Sequence, residues 1–241
     1  MDFLALISFH LHYKKFINTN KNDEDLKDGV TVVVTSCGRP NHLEGMLLSF
    51  IKFNTYPIDE IIIIEDAGCK DSINVAKKIV SKNILRIICN NKNIGQMASI
   101  DKAYSFVKTK YIFHIEEDWI FLKPNFIEKS LRVMENNPHL ACISLRPHQD
   151  WKKYSYVRVD NEYFIIDKIR NFIWNGICIN PGIYKTNNYF KIGKYTFYKK
   201  ERQVIQAYGH IGLKGGLLSD ELGYVYHSGD DATTRKKYKV A

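Results

Sequence analysis

A chain of 241 residues is long enough for one large α/β domain with a substantial core, or for two small ones, and it carries no repeat or low-complexity tract. Thirty-five Lys and Arg against 26 Asp and Glu give a formal charge of +9, which favours an anionic partner such as a nucleotide, a nucleic acid or a lipid headgroup without choosing among them. The five cysteines, Cys37, Cys69, Cys89, Cys142 and Cys178, lie far apart with no CxxC pair; they exclude a zinc site and a disulfide frame and read as reduced, buried thiols of a cytosolic protein.

The opening MDFLALISFHLHYKKF has no basic region ahead of its apolar segment and no small-residue cleavage site behind it, so it does not read as a signal peptide. It falls short of the roughly 20 apolar residues that span a bilayer, which leaves a helix packed on the domain or lying on a membrane surface. A polar linker, Asn18 to Gly29, follows. The β-branched run Val30 to Val34 predicts the first buried strand, stopping at Gly38 and Pro40. Asn41 then opens a helix with Glu44 as its capping partner, and Leu43, Met46, Leu47, Phe50 and Ile51 share one face. The alternation continues with a strand over Glu60 to Gly68, a helix over Ser72 to Ser81, a strand over Leu85 to Asn91, and a helix face marked by Met97, Ile100, Tyr104 and Val107.

That helix leads into YIFHIEEDWIF, Tyr111 to Phe121. Its apolar run to Ile115 predicts a strand buried on both faces, with Glu116, Glu117 and Asp118 at its carboxyl end, where open α/β sheets place their ligands. Three adjacent negative charges repel one another unless a divalent cation or a basic partner sits among them. Hard oxygen ligands suit magnesium or manganese rather than zinc. The plainer alternative is an exposed acidic turn.

Past Pro124 comes a helix to Asn137, then the strand ACISLRP. Tyr154 to Tyr184 alternates polar and aromatic residues, as antiparallel strands and loops do. A helix from Glu201 to Lys214 ends at Gly215-Gly216, and Gly223 to Gly229 is a last strand before a basic tail. Strands alternating with helices predict an α/β fold: a single domain, mostly parallel, with right-handed crossovers and an antiparallel portion late in the chain. The loops at the carboxyl ends of its first four strands are Thr35 to Arg39, Glu65-Asp66, Asn90 to Gly95 and Glu116 to Asp118. Asp66 is placed either to accept from a ribose hydroxyl or base N–H, or to cap a turn ahead of Gly68.

VTVVVTSCGRPNHL, IIIIEDAG, NNKNIGQMASIDKA and YIFHIEEDWIF, in that order and spacing, resemble the successive blocks of family 2-like glycosyltransferases with the A-type (GT-A, Rossmann-like) fold. The resemblance covers about Val30 to Phe121 and weakens toward Gly229. It implies a GT-A-like domain over 30–229, with a nucleotide-sugar-binding half, 30–121, and an acceptor half, 122–229. Residues 1–29 form an N-terminal helical and linker segment, and 230–241 a basic tail. It implies that Thr35, Cys37, Gly38 and Arg39 lie under the nucleotide with Asp66, Asn93 and Gly95, Arg39 reaching base or phosphate. The alternative for Gly38-Arg39-Pro40 is a turn feeding the helix.

By the same resemblance Asp118 matches the last acid of the metal motif, which here reads Glu-Glu-Asp in place of the more usual Asp-x-Asp. Glu116 and Glu117 stand beside it. His227 resembles a downstream histidine that completes the metal or diphosphate site, or is an ordinary histidine. Glu201 stands where the family often has its catalytic base. Its neighbours Lys199, Lys200 and Arg202 are expected to lower its pKa, and the plainer reading is a first-turn acid. Trp174, in the acceptor-side stretch Trp174 to Tyr184, stacks on a sugar or packs in the core. Arg235, Lys236 and Lys237 fold over the diphosphate, touch anionic lipid, or are solvated.

The function implied is a metal-dependent (Mn2+ or Mg2+), inverting transfer of sugar from a nucleotide diphosphate to a carbohydrate or lipid-linked glycan acceptor, in glycan or polysaccharide synthesis. The enzyme would be cytoplasmic, with peripheral membrane contact open and no nucleic-acid partner. One rival is a nucleotidyltransferase, which would carry a Gly-rich basic loop after the first strand where TSCGRPNH is poor in glycine. The other is a non-catalytic carbohydrate- or nucleic-acid-binding module, which would cluster its positive charge with aromatics on one face.

Overall fold

The computed structural model describes residues 25–152, 154–159, 161–166, 175–220 and 222–229. The expectations for residues 1–24, Trp174 and the tail cations Arg235, Lys236 and Lys237 lie outside that set. The β-branched runs form strands as the sequence predicts: β1 (Lys27–Ser36), β2 (Glu60–Glu65), β3 (Leu85–Cys89) and β4 (Thr109–Glu116). Between them lie α1 (Pro40–Phe53), α2 (Lys70–Ile79) and α3 (Gln96–Tyr104). Then come β5 (Trp119–Phe121), α4 (Phe126–Glu135), β6 (Leu140–Ser144), β7 (Tyr156–Arg158), β8 (Tyr163–Ile166) and β9 (Gly182–Lys185). The last elements are α5 (Thr186–Ile192), α6 (Glu201–His210), β10 (Lys214–Leu218) and β11 (Val225–His227).

Nine strands make one sheet in the order β3-β2-β1-β4-β9-β6-β10-β8-β7. Among the described residues only β8 and β9 run against the rest, so the sheet is mostly parallel with its antiparallel pairs in the later half. Its two faces follow the period of two along each strand. Val30, Val32 and Val34, Ile61 and Ile63, and Phe113 and Ile115 pack on α1, α2 and α4. Val33, Ile62, Ile64 and Ile112 face α3, α5 and α6. Each such side chain, taken fully out of water, contributes about 1.5–3 kcal/mol. The result is three layers with the loops gathered at the carboxyl edge.

A second, two-stranded sheet pairs β5 with β11, with Trp119 opposite His227 and Val225 opposite Phe121. It brings the last described strand beside the end of β4. No helix of the described residues is long and apolar enough to cross a membrane.

Several expectations are corrected. β1 begins at Lys27, inside the supposed linker, because Asp59 accepts from Lys27 Nζ (2.6 Å) and Val30 N (3.1 Å) and holds that polar stretch to the sheet. The first helix starts at Pro40 after Arg39, with no side-chain cap, so Asn41 and Glu44 form no capping pair. Ile51 is 48% exposed and lies off the buried face. Cys142 is buried, but Cys37, Cys69 and Cys178 are partly accessible and Cys89 is exposed, all as free thiols. The helix α5 went unread.

The expected helix over Glu201 to Lys214 ends at His210, and Gly215-Gly216 belongs to a buried strand rather than to its terminus. Contact explains the glycines better than turn propensity does. A Cβ on Gly215 would lie 1.9 Å from Gly176 O, and one on Gly216 2.7 Å from Ile143 Cδ1. Gly215→Ala is therefore expected to lower stability by about 3 kcal/mol or more, read from the urea midpoint, since backbone rather than a mobile side chain must give way. A midpoint equal to that of the parent would show that the 175–177 loop yields freely.

Candidate active site

From β1 the chain moves out to β2 and β3 on one side, then returns to place β4 on the other. The carboxyl ends of β1 and β4 therefore adjoin at a topological switch point, Thr35 in register with Glu116. A cleft of about 1280 Å³ opens there. Of the site residues expected from the sequence, Thr35, Cys37, Arg39, Asp66, Asn93, Gly95, Glu116, Glu117, Asp118, Glu201 and His227 line it, while Gly38 is not among its lining residues.

The floor is built from buried carboxylates and the donors they gather. Glu65 accepts from Ser36 Oγ (2.8 Å), Gly38 N (3.0 Å) and Ala67 N (2.9 Å), tying the loop after β1 to the loop after β2. Asp66 accepts from Asn90 Nδ2 (2.8 Å), Ile94 N (2.9 Å) and Gly95 N (2.9 Å). It thus anchors the loop before α3, a role different from capping a turn at Gly68. Asn93 donates to Cys37 Sγ at 3.2 Å, and burial together with Glu117 pushes the Cys37 thiol up to about 11. Its surroundings thus disfavour the thiolate, the form that acts as a nucleophile.

The three acids at the end of β4 have separate environments. Glu117 is 3% exposed and accepts from Cys37 N (3.0 Å) and Arg39 Nε (2.9 Å). Arg39 Nη2 meets Asp118 Oδ2 at 2.7 Å, so the basic partner that the acid run requires is Arg39. Burial, which alone would lower the guanidinium pKa, is outweighed by Glu117 and Asp118, and Arg39 stays charged. Glu116, nearer the opening, accepts from Gln96 Nε2 at the start of α3. Burial, reinforced by Asp118, Glu117 and Glu201, pushes its carboxyl up to about 8.

Asp118 is 4% exposed, and its Oδ1 is buried with no hydrogen-bond partner. Its Oδ2 lies 3.2 Å from His227 Nε2. The imidazole sits against Trp119, ring centroids 4.9 Å apart. Ser228 fastens the turn by donating to Asp118 O from its N (2.8 Å) and its Oγ (3.0 Å). Gly229 lies so close that a Cβ there would be 2.4 Å from Asp118 Oδ2. Asp118 and His227 are therefore a pair of candidate metal ligands. Among the described residues no group of three or more His, Cys, Asp or Glu converges, and a pair suits a hard cation that also takes water or phosphate oxygens.

Glu201 opens α6 on another wall of the cleft. Its pKa is raised by loss of solvent and opposed by Arg146, whereas lowering by Lys199, Lys200 and Arg202 was expected. Adjacency in sequence placed those cations next to the carboxylate; their charges are not among those that act on it in the fold. Arg146, Gln96 and Asp101 escaped the sequence reading because their relevance depends on packing. Arg146 lies over the Trp119 ring at 4.7 Å and donates to Asn180 O. Asp101, 7% exposed on α3, accepts from Tyr195 N (2.7 Å), Thr196 N (2.9 Å), Thr196 Oγ1 (2.7 Å) and Tyr189 Oη (2.8 Å), fixing the segment that leads to Glu201. Of the other acids late in the chain, Asp220 is paired with Lys123, and Glu221, Asp230 and Asp231 lie outside the described residues.

Comparison with known proteins bears on the family and the fold. An uncharacterized glycosyltransferase of Haemophilus influenzae is 28% identical over 116 residues, 47% of this chain and 35% of that protein. One from Methanocaldococcus jannaschii is 30% identical over 110 residues, 45% of this chain and 38% of that one. The alignments thus span little more than a third of either relative. Among solved structures, S. aureus TarS residues 1–349 with UDP-GlcNAc superposes with a TM-score of 0.61 at 14% identity, covering 87% of this chain and 63% of that one. A mannosyltransferase from Pyrobaculum calidifontis, solved with GDP-Man and Mn2+, gives 0.60 at 10% identity, covering 88% and 62%. At such identities these two show the fold alone. Residues 31–201 match the family described as glycosyl transferase family 2, and the chain belongs to that family of glycosyltransferases.

Proposed function

We propose that this glycosyltransferase moves a sugar from a nucleotide diphosphate to an acceptor hydroxyl with inversion, with a divalent metal, in glycan or polysaccharide synthesis. The observation that carries the reading is Asp118: a buried carboxylate with one oxygen lacking any partner and the other beside His227, at the edge of the sheet where ligands bind. Asp118 and His227 would hold the cation, magnesium or manganese by the hardness of the donor set. When bound, such an ion neutralises charge on the departing diphosphate.

The donor class is carried over from the structural neighbours solved with UDP-GlcNAc and with GDP-Man. In this chain the nucleotide would lie over Thr35, whose buried Oγ1 has no partner, and against the Asn93–Gly95 loop that Asp66 anchors. Arg39 serves the donor by bridging Glu117 and Asp118, which holds the two carboxyl groups side by side at the cleft floor. Glu201 takes the acceptor proton. Its side chain is exposed on the cleft wall, where the surrounding protein raises its carboxyl against the opposing Arg146, which makes it a better base near neutrality than an ordinary glutamate.

The experiment is a panel of nucleotide-sugars, with and without manganese, read by thermal stabilisation and slow donor hydrolysis. Asp118→Asn is expected to fold and to lose both metal-dependent stabilisation and turnover. Transfer at the parent rate in added manganese would remove the metal site from this reading. Glu201→Gln should cut kcat by roughly 100-fold or more with donor affinity nearly intact; a variant that kept most of its turnover would move the base elsewhere. A third prediction concerns Glu116. With its folded pKa at about 8 against an ordinary 4.5, the folded state keeps a proton that the unfolded chain releases, so stability falls as pH climbs across that window. Glu116→Gln should flatten the fall in urea midpoint between about pH 5 and about pH 8, measured without metal; an unchanged slope would assign it to another group.

A further inference from the structure

Lys199, Lys200 and Arg202 line the cleft on either side of Glu201, and all three are exposed. Their charged groups have no carboxylate partner among the described residues. They differ in this from Arg39, whose guanidinium is engaged by Glu117 and Asp118. Glu201 is the one acid among them and is itself exposed, so the stretch 199–202 keeps an excess of positive charge. Three cations within four consecutive positions, on the wall of a concavity that focuses their field, favour an anion there. The ten-residue helix α6 begins at the same point with no side-chain cap on Lys200, so the positive end of its dipole adds to the potential there. Asp101 holds Tyr195 and Thr196 and so fixes the approach to this rim.

Charge within the cleft is segregated. The acids end β4, at the site assigned above to the metal and the donor diphosphate, while the cations flank the base. We propose that the acceptor is itself anionic, carrying a phosphate or carboxylate that sits on Lys199, Lys200 and Arg202 while Glu201 faces its reacting hydroxyl. The proposal rests on the glycosyl-transfer reading and names the substrate class for it. In the step, the acceptor oxygen bonds to the anomeric carbon, the bond from that carbon to the diphosphate oxygen breaks, the nucleoside diphosphate leaves with the electron pair, and Glu201 receives the hydroxyl proton.

Two arms test this. In the first, inorganic phosphate is titrated by calorimetry into protein saturated with UDP or GDP, whichever binds. Phosphate is expected to bind the parent and to bind the triple variant Lys199→Gln, Lys200→Gln, Arg202→Gln about tenfold or more weakly, while the variant retains its nucleoside diphosphate affinity. Equal binding to both, or phosphate that displaces the nucleoside diphosphate, would overturn the proposal, the second result assigning the cations to the donor. Circular dichroism checks the fold of the triple variant, and Lys200→Arg, which keeps the charge, should keep phosphate binding.

In the second arm, acceptors are compared in matched pairs, glycerol with glycerol 3-phosphate and galactose with galacturonic acid, to separate phosphate from carboxylate. Preference for a charged member, lost in the triple variant, supports the proposal, and equal use of charged and neutral members overturns it. If no nucleotide-sugar binds while phosphate still distinguishes parent from variant, the transfer reading fails and the anion site stands.

Discussion

Buried charge organises this protein. Glu65, Asp66, Glu117 and Asp118 are 1%, 5%, 3% and 4% exposed at the carboxyl ends of β2 and β4. A carboxylate withdrawn from water is tolerated only when donors converge on it. The loops supply them: the loop after β1 gives backbone N–H groups to Glu65 and Glu117 and a guanidinium to Glu117 and Asp118, and the loop before α3 wraps Asp66. Four segments that would otherwise be independent surface loops become one rigid floor. The hydrophobic layers beneath set where the strands end; the acids decide what shape the loops take.

The helix α3 carries that order across the cleft. Its first turn lies by the acids of β4, where Gln96 reaches Glu116, and its middle presents Asp101 to the Tyr195–Thr196 backbone ahead of α6. A single rigid element thus fixes the spacing between the acids of β4 and the start of α6. Asp101 accepts from four donors without touching the cleft chemistry, which makes it a positioning residue.

Much of this was legible in the sequence, for reasons that can be stated. Four β-branched or apolar runs separated by helical periods gave the parallel half, and polar residues directly after those runs gave the cleft, because a parallel sheet puts all its carboxyl ends on one edge. What stayed hidden depends on distance through space. Nothing near Arg39 in the chain says that its guanidinium turns onto acids 78 and 79 positions away. The expected lowering of Glu201 counted its sequence neighbours, while the fold supplies desolvation and Arg146. Gly215-Gly216 looked like a helix end because turn statistics cannot register a backbone passing at contact distance.

The small β5–β11 sheet carries a consequence for how the enzyme comes into being. Asp118 and His227 become neighbours only when β11 docks on β5 in the register that sets His227 opposite Trp119, and Ser228 closes that turn across 110 positions of chain. A slip of one residue would point His227 to the other face. The strands β1 to β4 find their mutual partners within residues 27–116, whereas the Asp118–His227 contact also needs residues 225–229 in place. The contact between Asp118 and His227 is thereby coupled to the docking of a short strand far along the chain: with β11 displaced, the floor would keep Glu65, Asp66 and Glu117 in their contacts while Asp118 lost its histidine neighbour.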